Sequence, residues 1–85
     1  MVEKQGQVAL KSGLQARQAA LFVQEANRFQ ADVYLTKGDK KVNAKSIMGI
    51  MSLAISKDSA VIISAEGSDE EQAVAGLIAM IETNA

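Results

Sequence analysis

The chain has 85 residues, which suffices for one small domain that buries about 60–65% of its unfolded surface, so a deep catalytic cleft is not expected. It contains no cysteine and no histidine, which excludes disulfides, thiol chemistry and the usual zinc or other transition-metal ligands. Nine basic and ten acidic residues give a formal net charge of −1, and because the basic residues are scattered, direct nucleic-acid binding gains no support.

The beginning of the chain is polar. Glu3, Lys4, Gln5 and Gln7 interrupt its apolar residues, so it does not read as the continuous apolar segment of a secretory signal. No apolar run approaches the length that crosses a membrane. We therefore expect a cytoplasmic protein without a membrane partner.

The first half of the chain predicts a strand, a helix and a hairpin. Gln7 to Leu10 reads as a strand, and Ser12-Gly13 ends it. Residues 16–27 predict a helix, because apolar residues recur every three or four positions: Ala19, Phe22, Val23 and Ala26. Asp32 to Lys37, a turn, and a short strand around Lys41 to Asn43 form the predicted hairpin.

The second half predicts a helix, a strand and a helix. Ser46 opens a helix of about two turns, whose end the sequence leaves open between Leu53 and Ser56. Ala60 to Ala65 reads as a strand, and Ser68 with Glu71 has capping-box spacing before a last helix. Its buried stripe is Val74, Leu77, Ile78 and Ile81. The order β-α-β-β-α-β-α predicts one α+β domain over residues 1–85, with helices on one face of an antiparallel sheet.

Ser46 has two interpretations. A serine at a helix N-terminus commonly caps the backbone N–H groups of the first turn, which is worth about 1 kcal/mol. The same position tolerates a phosphate well, because those N–H groups and the positive end of the helix dipole favour an anion. The two roles are compatible.

The short helix cannot bury all its apolar residues against one small sheet. We expect Ile50 and Leu53 in the core and Ile47, Met48 and Met51 at the surface. On the first helix, one stripe lies opposite the buried one, and its members are Arg17, Ala20, Leu21 and Gln24. If the two helices are adjacent, these residues form one surface with Ser46 at its edge.

The chain resembles the HPr family of the bacterial sugar phosphotransferase system over essentially its whole length. Two motifs carry the resemblance, Gly13-Leu14-Gln15-Ala16-Arg17 with the helix after it, and Val42-Asn43-Ala44-Lys45-Ser46-Ile47-Met48-Gly49. HPr has its phosphorylated histidine at the position of Gln15, whereas the catabolite-repression HPr-like proteins of bacilli have glutamine. The resemblance implies an open-faced sandwich, with a four-stranded antiparallel sheet covered on one face by three helices.

Gln15 cannot serve as the phosphorylated residue of a phosphocarrier protein. A carboxamide has no basic ring nitrogen, so it cannot form the phosphoramidate of an imidazole. The family also usually has proline after Arg17, where this chain has Gln18. Since proline presets φ in a first helical turn, we expect Gln18 to loosen the start of the helix slightly.

The resemblance implies a regulatory protein of carbon catabolite repression, without enzyme activity or a bound cofactor. It implies phosphorylation of Ser46 by the HPr kinase/phosphorylase, which uses ATP as the phosphoryl donor, and corepression with a LacI-type catabolite control protein. DNA would then be contacted only indirectly. The docking surface for both partners is predicted to comprise Gln15, Arg17, Ala20, Leu21, Gln24, Ile47, Met48 and Met51.

Two alternatives remain at this point, a phosphocarrier component of the phosphotransferase system and a purely structural α+β module. Oligomeric state is also open. Lys11-Ser12-Gly13 is short enough to act as a hinge across which the first strand exchanges between two copies. A monomer and a strand-swapped dimer are both compatible with the sequence.

Overall fold

The structure, a computed structural model, describes residues 1–11 and 13–83. The chain forms four strands and three helices in the predicted order. They are β1 (Val2–Gln7), α1 (Arg17–Ala26), β2 (Asp32–Lys37), β3 (Lys40–Asn43), α2 (Ile47–Ser52), β4 (Ala60–Glu66) and α3 (Glu70–Ile81).

The four strands form one antiparallel sheet in the order β1-β4-β2-β3. The interior strands β2 and β4 pair Leu35 with Ile63 and Val33 with Ala65, and all four side chains are buried. Ile62, which points to the other face, is 36% exposed. This alternation leaves one sheet face open, as the sequence predicted.

The three helices cover the buried face. α3 lies against β1, β2 and β4, α2 lies against β3, and α1 packs on both helices. Within the described ranges, every helix is too short or too polar to traverse a lipid bilayer. The predicted two-layer α+β architecture is confirmed.

The predicted position of the first strand is wrong. β1 ends at Gln7, where the prediction began, although Val8 and Leu10 are buried as expected. Val8 still exchanges hydrogen bonds with the turn before β4, donating to Ser59 and accepting from Asp58. The sequence did not predict β1 because it is an edge strand whose buried residue is Gly6, where an added Cβ would lie 2.8 Å from Cδ1 of Ile78.

The predicted beginning of the last helix is also wrong. α3 is preceded by Asp69 at the N-cap position, not by Ser68, and Glu70 instead of Glu71 reaches back to a backbone N–H. That N–H belongs to Gly67 and lies 3.0 Å from the Glu70 carboxylate. The capping-box spacing therefore predicted the right kind of contact one residue too late in the chain.

Asp69 joins the beginning of α3 to the turn between α1 and β2. Its carboxylate accepts the N–H groups of Gln30 and Ala31, both at 2.9 Å. These hydrogen bonds lower the pKa of Asp69 below its ordinary value, and the bond from Gln30 has the larger effect. Gly67 makes this approach possible, since its φ is 155° and an added Cβ would lie 2.6 Å from Cα of Ala31.

Candidate functional site

Ser46 caps α2, as predicted. It adopts an extended conformation with φ −113° and ψ 113°, and its Oγ accepts the N–H of Gly49 at 3.2 Å. Its carbonyl accepts the N–H of Ile50 at 3.0 Å, which begins the helix. One hydroxyl thus satisfies one of the free N–H groups of the first turn and leaves the others available.

The Ser46 hydroxyl is half-buried, and α2 places no negative charge near it. The first turn of α2 contains no acidic residue. Gly49 has no side chain to crowd the site, and a Cβ there would lie 3.3 Å from Cβ of Val42 and 3.4 Å from the Ser46 oxygen. The neighbouring Lys45 ammonium donates to the carbonyl of Phe29 at 2.8 Å. An added anion would therefore meet a positive helix end and no fixed carboxylate of its own helix.

Exposed apolar residues concentrate beside Ser46. Six large hydrophobic side chains of the described residues are exposed, and four of them belong to α1 and α2. Their exposed fractions are 38% for Leu21, 40% for Ile47, 75% for Met48 and 46% for Met51. Ile50 and Leu53 are buried as expected. Since α1 and α2 are in contact, these exposed apolar side chains lie on two neighbouring helices.

The polar part of the docking surface lies at the beginning of α1 and along its outer side. Gln15, Arg17 and Gln24 are exposed, and Ala20 is half-buried. Within residues 1–11 and 13–83, the Arg17 guanidinium has no hydrogen-bond or ion-pair partner. The opposite stripe of α1 is buried, with Ala19, Phe22 and Ala26 fully inaccessible and Val23 partly so.

The start of α1 is held without a side-chain cap. Ala16 precedes the helix with φ 47° and ψ −111°, a conformation that is costly for a residue with a Cβ. The N–H of Gln18 donates to the carbonyl of Gln15 at 3.0 Å. Proline could not make this bond, so the bond opposes the loosening that we predicted for Gln18.

Two lysines that the sequence did not single out make long-range contacts with the helix ends. Lys45 reaches the turn after α1, as described above, and the Lys37 ammonium donates to the carbonyls of Leu53 and Ala54 at 3.3 and 3.2 Å. All three carbonyls lie 16 or 17 residues away from the lysine that donates to them. No local pattern distinguishes these two lysines from the others, which is why sequence reasoning missed them.

The chemistry of the site is that of modification and binding. The chain has neither histidine nor cysteine, and no three acidic side chains of residues 1–11 and 13–83 come together as a group able to hold a metal ion. Ser46 offers a half-buried hydroxyl next to a large apolar surface. The arrangement suits a surface whose recognition changes when one hydroxyl gains charge.

The sequence profile of the family described as PTS HPr component phosphorylation site matches residues 2–83. The chain belongs to the HPr family. The HPr-like protein Crh of Halalkalibacterium halodurans is 62% identical over 82 residues, which cover 96% of this chain and 98% of that protein. The similarity to Crh over nearly the whole chain supports an HPr-like regulatory paralogue.

Solved HPr-family structures share the fold. The phosphocarrier protein HPr of Bacillus anthracis superposes with a TM-score of 0.94 at 62% identity, covering 95% of this chain and 96% of that one. Crh of Bacillus subtilis, described as a dimer with a swapped domain, superposes with a TM-score of 0.79 at 57% identity, covering 99% and 97%. Since one HPr and one Crh protein reach the same 62% identity, that value alone does not separate the two groups. Gln15 is the residue that bears on the distinction.

Proposed function

We propose that this HPr-family protein is a cytoplasmic regulator of carbon catabolite repression that acts when Ser46 is phosphorylated. It then serves as corepressor of a LacI-type catabolite control protein, and it carries no phosphate in sugar transport. The observation that carries the proposal is the Ser46 hydroxyl, which caps α2 beside four exposed apolar side chains in a chain without histidine.

The proposed modification is a phosphoryl transfer from ATP to Ser46. The HPr kinase/phosphorylase breaks the bond between the β-phosphate oxygen and the γ-phosphorus, and the Ser46 Oγ forms the new bond. The hydroxyl proton goes to a base of the kinase, and ADP leaves. The product carries about −1.5 to −2 charges at the positive end of α2, where an anion typically gains about 0.3–1 kcal/mol. Phosphorylation should therefore leave α2 folded.

Recognition by the repressor would combine apolar burial with charge. Leu21, Met48 and Met51 supply contact area, and methionine adapts its shape to more than one partner. Phospho-Ser46 and Arg17 would pair with opposite charges on the repressor, which adds specificity at the rim of the apolar area. With a net charge of −1, this chain would influence DNA only through the repressor.

A titration with matched serine variants tests this function. Wild type, Ser46→Ala and Ser52→Ala are each incubated with the kinase and ATP and then titrated into the repressor. Ser52 is an exposed serine of the same helix, so its loss should change little. We expect kinase-dependent binding for wild type and Ser52→Ala and its loss in Ser46→Ala, with unchanged circular dichroism. Tight binding by Ser46→Ala would refute the mechanism.

A phosphocarrier role is the alternative, and a donor assay separates the two. Enzyme I and phosphoenolpyruvate phosphorylate an imidazole, which this chain lacks. We therefore expect no stable phosphoryl uptake from that donor. Uptake at any residue would contradict our interpretation of Gln15.

We also propose that the chain can form a strand-swapped dimer, since the Bacillus subtilis relative is described as a dimer with a swapped domain. β1 is an edge strand that pairs with β4 in the described part of the chain, so the β1 of a second copy could make the same contacts. Ser12, the middle residue of the predicted hinge, lies outside the described residues. Light scattering across a concentration series should show a dimer in addition to the monomer, and a monomer at every concentration would exclude exchange.

A further inference from the structure

The C-terminal end of α2 is the weak end of a short helix. α2 has six residues, and a helix of two turns is not stable by itself in water. Its last turn contains no basic residue to offset the negative end of the dipole. The chain leaves the helix through Ala54, whose φ of 50° is unfavourable for a residue with a Cβ. Its stability must therefore come from contacts outside the helix.

Lys37 supplies such a contact. Its ammonium donates to the carbonyls of Leu53 and Ala54 at 3.3 and 3.2 Å, so a positive charge lies at the negative end of α2. Two hydrogen bonds fix the direction of the ammonium group. No residue of α2 itself can provide this charge, because the helix is uncharged from Ile47 to Ser52.

Through its position, Lys37 connects an interior strand, β2, with the C-terminal end of the short helix α2. Lys37 ends β2, an interior strand paired with both β3 and β4. The other two lysines of the hairpin differ from it. The Lys40 ammonium has no hydrogen-bond or ion-pair partner within the described residues, and the Lys41 ammonium lies 4.7 Å from the centroid of the Tyr34 ring.

We propose that Lys37 is a positioning residue for the docking surface, because it holds the C-terminal end of α2 against the sheet. The inference rests on the proposed function of Ser46 and deepens it. Ser46 orders the N-terminal end of α2 and Lys37 the C-terminal end, so Met48 and Met51 are presented between two fixed ends. A partner that binds this surface then loses less conformational freedom on binding.

Hydrogen exchange on the unphosphorylated protein tests the link directly. Lys37→Met keeps most of the aliphatic stem and removes the N–H donors. Lys40→Met is the control that removes a charge from the same hairpin, and Lys37→Arg retains N–H donors at position 37. The amides of Leu53 and Ala54, which donate to Ile50 and Met51, report the last turn. We expect them to exchange about two- to fivefold faster in Lys37→Met, with protection in β4 unchanged. Lys40→Met should behave as wild type, and Lys37→Arg should recover at least part of the protection.

The kinase supplies a second, functional measurement. A loosened α2 should raise KM for the protein substrate about two- to fivefold in Lys37→Met and leave kcat unchanged, since Ser46 itself is intact. If the amides of Leu53 and Ala54 exchange at the same rate in wild type and Lys37→Met, the link is overturned. It is also overturned if Lys40→Met speeds their exchange as much as Lys37→Met does. An unchanged KM in a variant with faster exchange would overturn the positioning role. If wild type is not phosphorylated at all, the proposed function fails, while the exchange measurement still decides whether Lys37 holds α2.

Discussion

The N-termini of α2 and α3 differ in charge, and the difference indicates which of the two can act as a switch. α2 is capped by the neutral hydroxyl of Ser46 and has no acidic residue in its first turn. α3 follows Asp69 and begins with Glu70 and Glu71. An anion can therefore be added to α2 without meeting a fixed charge of that helix, whereas the positive end of α3 is already offset.

The carboxylates at α3 are also committed to structure. Asp69 binds the backbone of the turn after α1, and Glu70 binds Gly67 on one oxygen and the N-terminal amine on the other. Among the described residues, the Ser46 hydroxyl makes a single hydrogen bond, with Gly49 of its own helix. We infer that α3 uses charge permanently to fix the fold and that α2 leaves its N-terminus free for a reversible charge.

The largest expected effect of a substitution concerns docking beside α2. Met48→Asp places a carboxylate in the most exposed part of the apolar surface, where binding would have to remove it from water. We expect at least about tenfold weaker binding to both the kinase and the repressor, as judged by titration. Ala75→Asp adds the same charge to an exposed position of α3 and should bind normally. Unchanged affinity of Met48→Asp would place the interface elsewhere.

The next effect concerns stability at α3. Asp69→Ala removes the acceptor of two backbone N–H groups, one of which belongs to the buried Ala31. We expect a lower midpoint of thermal unfolding than in Ser68→Ala, which alters an exposed neighbour. Kinase-dependent phosphorylation should persist in both variants at temperatures where they are folded. If the two midpoints agree, Asp69 does not hold the turn.

Acid should weaken the same contacts. The backbone hydrogen bonds lower the pKa of Asp69, from Gln30 first, and of Glu70, from Gly67 first, so the folded state favours both ionised carboxylates. Their contribution to the free energy of unfolding is fully present above the unfolded pKa values of about 4 and is lost as the pH falls through the folded values. Denaturant titrations between pH 7 and pH 2 should show this loss, and it should shrink in Asp69→Asn. If the free energy of unfolding falls with decreasing pH as steeply in Asp69→Asn as in wild type, groups other than Asp69 cause the loss.

The smallest effect is expected at the end of α2. Ala54→Gly removes the strain of a positive φ, which stabilises the fold, but glycine also gives the unfolded chain more conformational freedom, which destabilises it. We expect a net gain of about 0.5 kcal/mol in the free energy of unfolding. Ala75→Gly lies in the regular part of α3 and should instead lose about 0.5–1 kcal/mol. Chemical denaturation of the two variants measures both changes. A loss in Ala54→Gly would show that Ala54 is not strained.

Local signals predicted the parts of the molecule that local interactions determine. The buried stripe of α1 and the Ser46 cap follow from periodicity and from capping chemistry within a few residues. β1 carries no such signal, because Gly6 takes the place of an inward apolar side chain beneath α3. The contacts of Lys37 and Asp69 join residues far apart in sequence, so only the folded chain shows them.

The proposed roles of the docking surface have a different status. All its residues are exposed except the half-buried Ala20, the two helices that carry most of them are in contact, and the family is established. The titrations above test whether the kinase and the repressor bind this surface.

The most direct measurement is mass spectrometry after incubation of the protein with the kinase and ATP. We predict one added phosphate, located on Ser46. The Ser46 hydroxyl lies at the N-terminus of α2, whose first turn has no acidic residue. The Ser46→Ala variant should gain none, although serines that are more exposed, such as Ser52 and Ser56, remain. An unmodified wild-type protein, or a phosphate on any serine other than Ser46, would contradict the account.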